Sequence, residues 1–250
     1  MFGACTPGGI RPQADEENKT NITMPNKFIL ATPVFVGPII YLAYLHLSLS
    51  RKVQCQTKHY IQDKTITIPN SVEHNPEKYT IHHERARKSI PSTSLESFSK
   101  PEILTRFLRH TMATFSRYPP AWGIWYLIKD TKDRDTFSLP YIQTLEFVPG
   151  DRVCGVYVVS SRDKERIALT LDAPESYKGP VVEGMLVIEL KDEGNETTFI
   201  NHTVMWREKG KGSAGVLESP GGRWMHGLIA RGLVESGVQK LLADVKNKKE

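Results

Sequence analysis

The sequence is poor in the residues and motifs that announce most chemistries. Its three cysteines, Cys5, Cys55 and Cys154, are odd in number and widely spaced, which excludes a disulfide framework and a cysteine-based zinc pattern. A single GxGxxG, at 210–215, follows the strand expected at 197–206, but it sits in an antiparallel run with no helix opening directly after it, and GxxxxGK[ST], GxSxG and HExxH are missing. Nucleotide, nicotinamide and zinc-hydrolase chemistry therefore have no carrier, and neither a cofactor nor a metal is expected. There is no internal repeat and no low-complexity tract. The net charge of +5 and pI near 9.0 come without a basic stripe interleaved with aromatics. That balance points away from nucleic acid and toward anionic lipid headgroups.

Charge is also missing from one long run near the start. Positions 28–50 read FILATPVFVGPIIYLAYLHLSLS, about 23 residues, enough to cross a ~30 Å hydrocarbon core as a helix. Pro33, Gly37 and Pro38 would weaken a water-exposed helix but are tolerated in a membrane. A largely polar stretch of 27 residues precedes the run, including Asp15, Glu16 and Glu17, which does not suit a secretory signal peptide. The expected organisation is a disordered tail at 1–27, a single transmembrane anchor at 28–50, a juxtamembrane linker at 51–77 and one globular domain at 78–250. Arg51, Lys52 and Lys58 follow the run against Lys19 and Lys27 before it. The excess favours a single-pass protein of the endoplasmic reticulum with its C-terminal domain in the cytosol. Four glycosylation sequons, at Asn18, Asn21, Asn195 and Asn201, would instead require the lumen.

Within the domain, 79–87 reads as a strand, followed by the capping-box signatures Thr93-x-x-Glu96 and Ser99-x-x-Glu102. Ile103, Leu104, Phe107, Leu108, Met112 and Phe115 then recur at helical spacing up to Pro119-Pro120. The aromatic patch at 122–128 is expected in the core, the alternatives being a membrane-dipping surface or a pocket lid. From 137 onward the period shortens to two, with strands expected at 139–147, 152–160, 165–171, 181–190 and 197–206, joined by short polar turns. A long apolar-striped helix closes the chain at 223–246.

The order is α+β: strand, helices, a run of antiparallel strands, one long C-terminal helix. This order, with the segments PGDRVCGVYVV, GPVVEGMLVIEL, TTFINHTVMW and RWMHGLIARGLVESGVQKLL, resembles the helix-grip fold of the START-like or SRPBCC superfamily. That superfamily includes polyketide cyclases, pollen-allergen-type ligand carriers and lipid-transfer domains. The resemblance implies a curved antiparallel sheet wrapped on the last helix with a pocket between them. It carries over no residue roles, since the superfamily has no universal catalytic signature.

Strand alternation places His202 on one face with Ile200, Val204 and Trp206, a polar group among apolar ones. An imidazole both takes and gives a proton near neutral pH. His202 is therefore the expected acid/base, with Tyr157 and Arg152 as donors to a ligand carbonyl. His82, His83, Glu84 and Arg85 form a second cluster, but adjacent strand residues face opposite ways and no third ligand is identifiable for a metal. His110 and His226 are candidates for a cavity mouth. The expected activity is a membrane-tethered, cofactor-free cyclase or isomerase acting on a hydrophobic small molecule in secondary-metabolite biosynthesis. The alternatives are a non-catalytic lipid, sterol or polyketide carrier and a scaffold. Expected partners are the hydrophobic ligand, membrane lipids and neighbouring biosynthetic enzymes.

Overall fold

A computed structural model describes residues 28–61, 63, 65–211 and 215–249, with side chains between 37 and 248. The expected tail, with Asn18 and Asn21, lies outside them. The chain divides into two compact units, Met1–Tyr41 and Leu42–Glu250. In the first, the described residues belong to helix α1 (Phe28–Lys52), where Ile39, Ile40 and Tyr41 are exposed. Among the described residues no helix is long and apolar enough to cross a membrane. The side chains of 28–36, the first part of the expected span, lie outside the description.

The second unit takes in the end of α1 and everything after it. In chain order it comprises β1 (Gln54–Lys58), α2 (Asn70–His74), β2 (Tyr79–Pro91), α3 (Lys100–Phe115), α4 (Pro119–Leu127), α5 (Thr131–Asp135) and α6 (Leu139–Thr144). Then come β3 (Arg152–Val153), β4 (Tyr157–Arg162), β5 (Arg166–Leu171), β6 (Glu183–Glu193), β7 (Glu196–Glu208) and α7 (Pro220–Lys249). The strands form one antiparallel sheet in the order β1-β2-β7-β6-β5-β4-β3. β2 and β7 pair over 13 residues each, whereas the edges β1 and β3 have five and two.

Alternation along the strands gives the sheet two buried faces. On the inner face Ala86, Ile90, Ile167, Leu169, Ile188, Leu190 and Phe199 meet α3 and α7 through Leu104, Phe107, Leu108, Val234, Val238 and Leu241. On the outer face Ile81, Ala168, Met185, Val187, Val204 and Trp206 are covered by Ile66, Ile68 and Val72. Each such burial contributes about 1.5–3 kcal/mol, which fixes the register because a one-residue slip would exchange the faces. Phe107 and Phe199 meet at 5.1 Å between ring centroids. α7 passes this pair at Gly237, where a Cβ would lie 2.5 Å from the Phe107 ring.

Local expectations change at four places. The stretch 51–77, expected as a linker that partly packs on the domain, supplies a strand and a cover: only Val53 separates α1 from β1, and Ile66, Ile68 and Val72 cover the outer face. Pro119 and Pro120 do not just stop a helix but open α4, since a proline in the first turn gives up only an orphan N–H. Its aromatics are exposed rather than in the core: Trp122 58 %, Trp125 42 % and Tyr126 67 %. Residues 139–144 are helical because Ser138 caps the turn by accepting from the Tyr141 N–H and Pro140 sits in it. Two elements of the second unit brace one another. Leu42, Leu45, His46 and Leu49 form a half-buried stripe on the end of α1. Lys52 lies 3.7 Å from Glu235 of α7, which also pairs with Lys88 of β2.

Candidate functional site

The three residues expected to act together do not converge. Arg152, at the start of β3, donates to the Gly155 carbonyl at 2.9 Å and pairs with the Asp172 carboxylate at 2.9 Å, clamping the β3–β4 hairpin to the end of β5. Val153 pairs with Tyr157 in the register, so Arg152 and Tyr157 point to opposite faces. Tyr157 packs edge-on against Phe115 at 5.7 Å, and burial pushes its phenol above the usual range. His202 is in β7, three strands from β4, a separation of about 14 Å at ~4.8 Å per strand. It lies on the outer face rather than toward α7.

His110 is on α3 with Thr114 Oγ1 3.4 Å from its ring, and burial lowers its pKa. Asn195 is exposed in the β6–β7 turn. Asn201 is 8 % exposed in the middle of the sheet, where the fold leaves no room for a glycan.

The inner face carries a different polar group of residues. His82 and Glu84 of β2 point toward the first turns of α7. The His226 Nδ1 lies 2.9 Å from Glu84 Oε1, and the His82 and His226 rings meet edge-on at 6.4 Å. A Cβ on Gly227 would lie 3.3 Å from Glu84 Oε2, 3.8 Å from Arg231 Nη1 and 3.8 Å from Cys55 Sγ. Those three groups therefore surround one point, and the glycine admits them. His46, from the end of α1, stacks at 5.8 Å on Trp224 of the same α7 turn.

The electrostatics are those of a dry site. Burial, opposed by Glu84, lowers the His82 pKa to about 4, so its imidazole is neutral at pH 7. Burial, with the Glu84 charge beside it, pushes the Cys55 thiol up to about 12, so it is no thiolate nucleophile. Glu84 is 1 % exposed. His226 keeps a side-chain exposure of 29 %, which makes it the side of the site that opens outward.

Eight buried side-chain polar atoms among the described residues lack a hydrogen-bond partner, and five belong to this cluster: His46 Nδ1, His82 Nδ1 and Nε2, Glu84 Oε2 and Arg231 Nε. Buried polar atoms are ordinarily satisfied, since each orphan costs roughly 1–3 kcal/mol. Such a concentration marks a place built for something polar. It combines an acceptor carboxylate, a guanidinium donor and imidazoles able to do either. Sequence reasoning grouped His82 and Glu84 on one strand and set His226 apart. What it lacked was the pairing of β2 with the first turns of α7, which no spacing rule supplies.

The chain matches no protein-family model, no curated protein and no solved structure. The seven-stranded antiparallel sheet with its long C-terminal helix has the layout of the helix-grip fold.

Proposed function

We propose that this protein is a START-like helix-grip domain held at a membrane. It would take the polar end of a hydrophobic small molecule between β2 and the first turns of α7. The observation that carries this reading is the convergence of unpartnered buried polar atoms on Glu84, His82, Arg231 and His46. Exposed apolar side chains border the same elements: Tyr44 and Leu47 on α1, Trp224 and Met225 on α7. An amphiphile would pair its headgroup with the first set and lay its tail along the second.

The Glu84–His226 pair is the acid/base equipment for a cofactor-free isomerase or cyclase. With an enolisable carbonyl held by Arg231, one member takes a carbon-bound proton while the other protonates the oxygen. In this reading the acid/base role passes from His202 to His226. The alternative is carriage or scaffolding without chemistry, favoured by the aromatic filling of the inner layer at Phe107 and Phe199.

Membrane attachment is part of the proposal. It rests on the uncharged run at 28–50, on the exposed Trp122, Trp125 and Tyr126 of α4, and on a groove at the end of α1 lined by Arg51, Lys52, Arg87 and Lys88, where Lys52 and Lys88 share Glu235 and Arg87 pairs with Glu193. Amphipathic rings and clustered cations both suit an anionic bilayer surface. The basic residues after the run favour the cytosolic face of the endoplasmic reticulum. A gel-mobility shift on deglycosylation that disappears in Asn195→Gln would reverse that orientation.

The test is native mass spectrometry of the full chain purified from membranes in mild detergent. An amphiphile is expected to co-purify, with its occupancy reduced about tenfold or more in Glu84→Gln and in His226→Gln, since a charge-assisted hydrogen bond is worth about 1.5–3 kcal/mol. Unchanged occupancy in two folded variants would remove this site from ligand binding. Occupancy that falls with no turnover of the captured compound by the wild-type chain would leave the carrier and remove the enzyme.

A further inference from the structure

The outer face of the sheet holds a second polar cluster, independent of the inner one. His83 of β2, His202 of β7 and Glu189 of β6 are diagonal neighbours in the register, since His202 lies opposite Arg85 and Val187. Asp63 comes down onto them from the segment between β1 and α2. Its Oδ1 is taken by the Thr65 N–H at 3.0 Å and the Thr65 hydroxyl at 2.7 Å, which leaves Oδ2 turned toward the sheet. His202 Nε2 is 3.6 Å from Glu189 Oε2 and 4.0 Å from Asp63 Oδ2. His202 is 1 % exposed, and this Nε2 has no hydrogen-bond partner.

His83 Nε2 and His202 Nδ1 are 3.0 Å apart and share one proton. The other ring nitrogen of His202, Nε2, is thereby turned to the two carboxylate oxygens. An imidazole nitrogen held by a second histidine and two carboxylate oxygens that converge on one buried point are the donor set a cation would take.

We infer that Asp63, Glu189 and His202 form a binding site for a first-row divalent cation of the zinc or manganese class, with His83 as the residue that orients the histidine ligand. The candidate ligand atoms all lie within 4.8 Å of one another. Ligation at ~2.0–2.2 Å requires separations of about 3–3.6 Å, a closing-in of up to about 1–2 Å at the widest pair. One imidazole and two carboxylates suit this class of ion, and the two carboxylates balance its charge. The site has a built-in competitor. Lys191 Nζ lies 3.3 Å from Glu189 Oε1 and 3.8 Å from Asp63 Oδ2, on a side chain 40 % exposed that can swing to solvent when the ion enters. Bound there, the ion would latch the covering segment to β6 and β7, beneath which lies the outer core.

Zinc affinity of the full chain, measured by competition with a chromophoric chelator after treatment with EDTA, tests this. One equivalent should bind. Glu189→Gln and His202→Gln should each weaken it at least tenfold, and His83→Gln by ~10–100-fold, the usual cost of losing an orienting partner. Lys191→Met, a change at a half-exposed position that does not threaten folding, should tighten it. Absence of binding, affinity indifferent to Glu189→Gln and His202→Gln, or weaker binding in Lys191→Met would each overturn the site. So would nitrogen NMR showing both ring nitrogens of His202 protonated at pH 7 in the presence of zinc, the signature of a plain ion pair.

Discussion

His82 lies 5 % exposed between β2 and α7 with both ring nitrogens unpartnered. It faces Glu84, His226, His59 and Arg223, and burial dominates their combined effect. Its folded pKa of about 4 lies below the unfolded value of 6.5. Between those values the unfolded chain binds the extra proton, so stability is full above about pH 6.5 and is lost as the pH falls toward 4. Chemical denaturation at pH 7 and pH 4.5 should show that loss, on the order of 1–3 kcal/mol from this residue. His82→Gln should shrink the difference between the two pH values. An identical pH dependence in the variant would mean that His82 is already wet.

At the scale of elements, α7 depends on close approach to α3. Gly237→Ala would gain about 1 kcal/mol of helix propensity. It would also place a methyl 2.5 Å from Phe107 and 2.9 Å from Thr111 Cγ2, both on buried residues. Overpacking at such a site costs ~1–3 kcal/mol, so the thermal midpoint is expected to fall, and a rise would show that the ring can move aside. The order of these elements is legible in the sequence because long strands and a long helix carry strong periodicity. The apolar rows 186, 188 and 190 on β6 and 167 and 169 on β5 face α3 and α7 as alternation implies. The error was one of side. Ile200, His202, Val204 and Trp206 do share a face, but Ile66, Ile68 and Val72 cover it. A five-residue strand and a cover of three apolar residues, Ile66, Ile68 and Val72, carry too little pattern to announce themselves, so the sheet's second buried face was invisible. The candidate sites failed to appear for the same reason: Glu84 meets His226, and Glu189 meets Asp63, across sequence separations that only the assembled sheet closes.

At the scale of the molecule, the two buried faces of the sheet are completed within Leu42–Glu250. A chain starting at Leu42 is therefore expected to unfold cooperatively, with a midpoint within a few degrees of the full chain. If attachment resides in the run at 28–50, the shorter chain should stay with the soluble fraction where the full chain floats with anionic vesicles. Equal flotation of both would transfer the attachment to the aromatic face of α4 and the groove at Arg51 and Lys52.

The sheet's outline has a further consequence. Its long central strands, β2 and β7, shorten to five residues at β1 and two at β3. Open backbone edges are where sheets of neighbouring molecules zip together, and short edges give such growth little template. A protein concentrated in the two dimensions of a bilayer meets its own copies far more often than one in solution. If the chain is held at a bilayer as proposed, the blunt rims of this sheet would let copies crowd there without polymerising.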